Sequence, residues 1–149
     1  MFELNELWIG EIPATKLAGI ESLLASFGAP FSVDRRSNSR YFTICSNHAL
    51  SDELRANLAS SLSKTDCPFE LTHIGLRSER YLFIPSLGIH RIELSEAGEE
   101  VLSAGRILAL IEEAKGSQVE FRSVLSSALG EPWLHAIDLI RKRSERRVA

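Results

Sequence analysis

The sequence is poor in features that announce a function. Its 149 residues hold two cysteines, Cys45 and Cys67, and these do not form a C-x-x-C pair. Thiolate or imidazole ligands at zinc-site spacing are missing. Such cysteines are expected as small buried hydrophobes, with a single structural disulfide as the alternative. The four histidines, His48, His73, His90 and His135, are scattered along the chain, so neither a metal site nor a cofactor is expected. No run approaches the ~20 consecutive apolar residues of a membrane span. The first six residues lack the basic and apolar regions of a signal peptide, and a cytoplasmic protein is expected. There is no P-loop, no dinucleotide glycine fingerprint, no His-Glu-x-x-His and no Gly-x-Ser-x-Gly elbow. Glu99-Glu100 and Glu112-Glu113 are paired carboxylates, but neighbours on a helix point apart, and both pairs are expected in solvent. His90 and Glu93 can approach each other, yet nothing supplies a nucleophile beside them. The reading leans away from an enzyme.

What is present describes one globular domain. Hydrophobic residues make up 44% and charged residues 25%, with a net charge of −3. A chain of this length buries roughly 68–70% of its unfolded surface and needs no metal or disulfide to fold. The charge is uneven. Arg141-Lys142-Arg143-Ser144-Glu145-Arg146-Arg147 carries a local excess of four positive charges, which leaves about −7 on the remainder. A general basic footprint for nucleic acid is therefore absent. The basic end reads as a helix C-terminus whose cations suit the macrodipole, followed by a frayed terminus. The alternative is a handle for a phosphate or an acidic partner.

Patterning along the chain gives the elements. Leu4–Ile9 reads as a strand broken by Gly10-Glu11-Ile12-Pro13. Leu17, Ile20, Leu23, Leu24 and Phe27 mark an amphipathic helix ending at Gly28. Phe31–Arg35 and Arg40–Cys45 read as strands around the turn residues Ser37-Asn38-Ser39. Leu50, Leu54, Leu58 and Leu62 form one apolar stripe on a second helix with Ser51 near its start. Phe69–Ile74 alternates as a fourth strand. This β-α-β-β-α-β order implies an α+β fold, a ferredoxin-like sandwich over residues 1–76. Residues 77–149 add a strand pair, Arg80–Ile84 and Ile89–Leu94, and a helical C-terminal extension. Ser103 reads as the N-cap of a helix carrying Ile107, Leu108, Leu110 and Ile111 and closed by Gly116. The next helix, Val119–Leu129, turns Phe121, Val124, Leu125 and Ala128 inward. Gly130-Glu131-Pro132-Trp133 then opens the last. With no linker or repeat, the whole chain is expected to be a single domain.

Two resemblances follow from motifs. Leu7-Trp8-Ile9-Gly10-Glu11-Ile12 is similar to the first strand of an RNA-recognition motif, a fold that stacks bases on aromatics of its first and third strands. Trp8 and Phe42 could then share an open sheet face. In the third strand only Arg40 and Phe42 fit that pattern, and an acidic chain lacks the charge for phosphate, so nucleic acid is not the favoured partner. The open face is also where the added helices are expected to pack, burying Trp8. In the C-terminal half, Arg80-Tyr81-Leu82-Phe83-Ile84-Pro85-Ser86-Leu87-Gly88-Ile89, followed by Leu129-Gly130-Glu131-Pro132-Trp133, resembles the actinobacterial family known as domain of unknown function 3145. That resemblance implies a bacterial cytoplasmic setting near fatty-acid and acyl-CoA metabolism, and it implies no reaction.

The functional expectation is a non-catalytic binding or regulatory module that docks a protein partner. The alternative is a sensor whose Pro85–His90 loop binds an anionic metabolite. In that site the Ser86 hydroxyl and Gly88 N–H would meet a phosphate or carboxylate, with Arg80 or His90 adding charge. Arg80, Ser86, Gly88, His90 and Trp133 are the candidate ligand or partner residues. Single-stranded RNA binding through Trp8 and Phe42 is the third reading. A free edge strand would favour a homodimer.

Overall fold

The computed structural model describes residues 4–27, 30–34, 40–44 and 51–148, and among these the chain is α+β. Seven strands form one antiparallel sheet in the order β2-β3-β1-β4-β5-β6-β7. They are β1 (Leu4–Ile9), β2 (Pro30–Asp34), β3 (Arg40–Ile44), β4 (Phe69–Ile74), β5 (Glu79–Ile84), β6 (Gly88–Leu94) and β7 (Glu100–Val101). The helices are α1 (Ala14–Phe27), α2 (Asp52–Ser63), α3 (Ala104–Ala114), α4 (Gln118–Ala128) and α5 (Glu131–Val148). Gly28, Cys45, His48, Leu50 and the turn at Ser37–Ser39 lie outside the described residues.

Both faces of the sheet are covered. Because strand side chains alternate, β1 sends Leu7 and Ile9 to one face and Trp8 to the other. The first face packs Leu7, Ile9, Phe69, Leu71, Tyr81 and Phe83 against Ile20 and Leu24 of α1 and Leu58 and Leu62 of α2. The second packs Trp8, Leu82 and Ile84 against Ile137 and Ile140 of α5, with Trp133 and Leu134 beside them. This explains why Tyr81-Leu82-Phe83-Ile84 is buried throughout, as a strand covered on both sides must be. The added helices do cover the face that Trp8 occupies. The pairing of Trp8 with Phe42 is corrected, however. Phe42 stands opposite Leu7 and belongs to the first face. Each of the two rings is only 3% exposed, so they form no shared stacking platform.

Trp8 is fitted closely. A Cβ on Gly10 would come within 2.6 Å of its indole, so only glycine lets the ring lie there. The Arg141 guanidinium stacks on the ring 4.7 Å from its centroid and reaches Glu70 at 3.0 Å. Arg143 pairs with Glu11 at 3.2 Å. The basic segment is thus folded into α5, which runs to Val148, and its first arginine is part of the packing.

Three further expectations change. Leu54 is 44% exposed, and the inward position one residue later belongs to Arg55. Glu100 is not on a helix: it sits in β7 and pairs with Arg80 at 3.0 Å. Helix α4 has no fully buried residue, and Phe121, Val124, Leu125 and Ala128 are half-buried. Helix α3 buries Leu110 and Ala114 but leaves Leu108 and Ile111 exposed. The serine caps stand as expected, Ser51 accepting from the Leu54 N–H and Ser103 from the Arg106 N–H. Cys67 is free and buried.

The first face also holds charge. Arg55 of α2 donates to Glu79 of β5 at 2.8 Å, with both side chains almost fully buried. Arg91 of β6 binds the other Glu79 oxygen, and Asp52 also binds Arg55. Nearby, His73 Nδ1 meets Asn5 Oδ1 at 2.7 Å across the β1–β4 ladder, again in the interior. Burial, then the Glu79 charge, pushes the Tyr81 hydroxyl above its ordinary pKa, against the opposing pull of Arg91 and Arg55.

Two outcomes follow. Glu79→Gln leaves Arg55 buried with less compensation and should cost about 3 kcal/mol, the low end for breaking a buried pair because Asp52 remains. In a thermal melt this corresponds to a fall of roughly 6–12 °C. For Tyr81 the raised folded value means the native state holds its proton longer than the unfolded chain. Its contribution is complete below about pH 10 and disappears as pH rises through the raised value. Melting temperature should therefore fall as pH rises above about 10, and less steeply in Tyr81→Phe. Equal slopes would show that Tyr81 carries none of this dependence.

Candidate functional site

Of the five candidate residues, Gly88, His90 and Trp133 come together. The β5–β6 hairpin turns through Pro85-Ser86-Leu87, with the Leu87 N–H donating to the Ile84 carbonyl at 2.8 Å. Gly88 follows at φ +84°. Its carbonyl accepts from the Trp133 indole N–H at 2.9 Å. Two residues on, the His90 ring stacks on Trp133 with centroids 4.6 Å apart and 24° between planes. His90 Nε2 donates to the Ala128 carbonyl at 3.0 Å. The α4–α5 turn is positioned by Gly130, whose φ of +77° suits glycine. A Cβ there would meet His90 at 3.0 Å and Leu82 at 3.1 Å. The Pro-Ser-Leu-Gly hairpin and the Leu-Gly-x-Pro-Trp turn are therefore two halves of one clasp that ties α5 to the sheet.

Arg80 and Ser86 are elsewhere. Ser86 is exposed at the hairpin tip. Arg80 lies four residues before Ile84 on β5, roughly 13 Å along the strand. It is held between Glu70 at 3.4 Å and Glu100 at 3.0 Å. Its charge is neutralised there and is not delivered to the Pro85–His90 loop. His90 and Glu93 do not approach either, since odd and even positions of β6 face opposite ways.

One open cleft adjoins the clasp. It has a volume of about 330 Å³ between β6, the start of α3 and the end of α4. Its lining runs from His90, Arg91, Ile92 and Glu93 of β6 across Val101 and Leu102 to Ser103, Arg106 and Ala128, and the one acid among these, Glu93, pairs with Arg91. Ser103 caps α3, and Arg106 sits in the first turn of that helix with its side chain exposed. The Arg106 guanidinium makes no ion pair with any described residue. Arg91, at the rim, is committed to Glu79 and to Glu93 at 3.7 Å. Burial lowers its pKa, but the Glu79 hydrogen bond and charge outweigh this and raise it overall, so it stays a cation.

The cleft meets an unfinished sheet edge at Arg91. In the β5–β6 ladder the Leu94 N–H donates to the Ser78 carbonyl, which makes even-numbered β6 residues the hydrogen-bonded partners of β5. Odd-numbered residues then point their N–H and C=O groups away from β5. Glu93 stands opposite Val101 of β7, and the Ser95 N–H donates to Glu99. The strand β7 ends after Val101, where Ser103 turns the chain into α3. Ile89 and Arg91 are left without a neighbouring strand among the described residues. Sequence reasoning identified Ser103 as a cap and missed Arg106 and this edge. The Ser103–Arg106 spacing was the one available signal, since it places a cation in the first turn of α3, where dipole logic would put an acid.

Among the described residues no helix is long and apolar enough to cross a membrane. Among the described residues no group of three or more His, Cys, Asp or Glu side chains could hold a metal ion. Comparison with family models matches residues 42–147 to one described as Protein of unknown function (DUF3145). That stretch includes the clasp and the cleft but not Trp8. No curated protein and no solved structure matches the chain.

The clasp makes a direct prediction. Gly130→Ala should destabilise the fold by about 1–2 kcal/mol through the left-handed backbone alone, with more from the His90 contact. Trp133→Phe keeps the ring and loses the donor, and should cost about 1 kcal/mol. Urea unfolding curves measure both. A Gly130→Ala protein as stable as the parent would show that the α4–α5 turn is not constrained in this way.

Proposed function

The chain belongs to the family of proteins of unknown function DUF3145, and from that premise we propose that it is a non-catalytic binding module that docks a polypeptide partner. The open edge of β6 at Ile89 and Arg91, which enters a cleft at Arg91, carries this reading. With the central strands covered by helices on both faces, the edge at β6 is the sheet surface left for a partner. We read the first half as ferredoxin-like; the β2-β3-β1-β4 order and two helices on one face support that assignment. The cleft also argues against chemistry. Ser103 is engaged as a helix cap and His90 holds the Ala128 carbonyl, so neither is presented as a nucleophile or base.

A small-ligand reading has one observation in its favour. The Arg106 guanidinium, beside Ser103 and His90, suits a phosphate or carboxylate. This moves the anionic-metabolite hypothesis from the Pro85–Ser86 tip to the cleft. Acyl-CoA thioesters are the ligand class that the bacterial fatty-acid setting suggests.

A thermal-shift comparison separates the two. Binding stabilises the native state by mass action, by about 2.7 kcal/mol at a hundredfold excess over Kd, and so raises the melting temperature. Capped peptides of nine residues and alternating sequence should raise it, whereas acyl-CoA thioesters and phosphorylated metabolites should not. A shift with the metabolites alone would transfer the cleft to the sensor reading.

A further inference from the structure

Resting on the docking reading, we propose that the partner enters the cleft as an extended acidic segment that adds a strand to β6. The segment pairs with the backbone of Ile89 and Arg91 and places a carboxylate on Arg106. Three observations point to one occupant.

The first is the ladder itself. The N–H and C=O groups of Ile89 and Arg91 aim away from β5, and the strand that would satisfy them, β7, stops after Val101. An incoming chain in line with β7 gains up to four main-chain hydrogen bonds without disturbing any existing pair. The second is space. The recess of about 330 Å³ opens over the Arg91 end of that edge, walled by Ser103 and Arg106 on one side and Ala128 on the other, with Ile89 just beyond it. A walled recess admits a single extended strand and keeps out the broad edge of a folded sheet. The third is charge. Arg91 is neutralised by Glu79 and Glu93, so the cleft's uncompensated cation is Arg106. A carboxylate on the incoming strand completes a charge-assisted pair with it. Apolar side chains of the same strand can rest on Ile89, which is 43% exposed beside the equally exposed Leu87.

Amide hydrogen exchange tests this residue by residue. The probe is a panel of capped nine-residue peptides alternating valine or threonine with glutamate. In the protein alone the Ile89 and Arg91 amides should exchange rapidly. At saturating peptide both should slow by at least tenfold, while the same peptides N-methylated at alternate positions should give no slowing. Arg106→Ala should weaken binding of the glutamate peptides about fivefold or more, and that of glutamine versions by less than twofold. Several outcomes overturn the proposal. If peptides raise the melting temperature while Ile89 and Arg91 stay unprotected, docking occurs elsewhere and strand addition fails alone. If no peptide binds at millimolar concentration, strand addition and polypeptide docking fail together. If the two amides are already protected in a concentration-dependent way without peptide, a second copy of the chain holds the edge. Tighter binding of lysine peptides than glutamate peptides would remove the role given to Arg106.

Discussion

The burial of Trp8 beneath α5 is the contact on which the second half of this structure depends. A tryptophan side chain buries 150–250 Å² when enclosed. Here it is enclosed by Ile137 and Ile140 above the sheet, with Gly10 leaving room for the ring and Arg141 laid across it. Fixing α5 in this way fixes the α4–α5 turn. That turn brings Ala128, Gly130 and Trp133 onto the β5–β6 hairpin, and the hairpin's far strand then forms the floor of the cleft. The cleft is a by-product of a core contact made by a strand on the other side of the sheet.

The clasp gives the second-half motifs a structural meaning. Proline, serine, leucine and glycine build a hairpin whose first β6 residue offers its carbonyl to an indole. Leucine, glycine, proline and tryptophan build the turn that supplies the indole. The family match extends over both. His90 and Trp133, expected as ligand residues, are engaged with each other and with backbone, and of the two only His90 also lines the cleft next door.

Legibility from sequence divided along physical lines. Helix caps were readable because Ser51 and Ser103 act on amides three residues away, within their own segment. Most strand positions were readable from alternation, and the burial of Trp8 from the need to place three further helices. The relation between Trp8 and Phe42 was not, because pairing register decides facing, and one residue of shift inverts it. Arg55, Glu79 and Glu100 were unreadable for a related reason: apart from Asp52 beside Arg55, the partners of these charges are distant in sequence. Helix stripes misled at Leu54 and in α4, where apolar periodicity overstated burial. The open edge at Ile89 and Arg91 left no local trace at all, since it consists of bonds that β7 does not make.

The covering of the sheet by α5 also sets the order in which the protein can be made. Arg143 contacts Glu11 across 132 positions of chain, and Ile137 and Ile140 close over Trp8 from nearly as far. During synthesis the β1, β4 and β5 strands emerge long before the helix that shields them. Until then Trp8, Leu82 and Ile84 present an apolar sheet face to the surroundings, the kind of intermediate that aggregates or recruits chaperones. Contacts this distant also slow the final step, because loop closure precedes any gain from packing. The nascent chain therefore carries this sticky face from the emergence of β5 until α5 is made, and that helix acts as the closing seal.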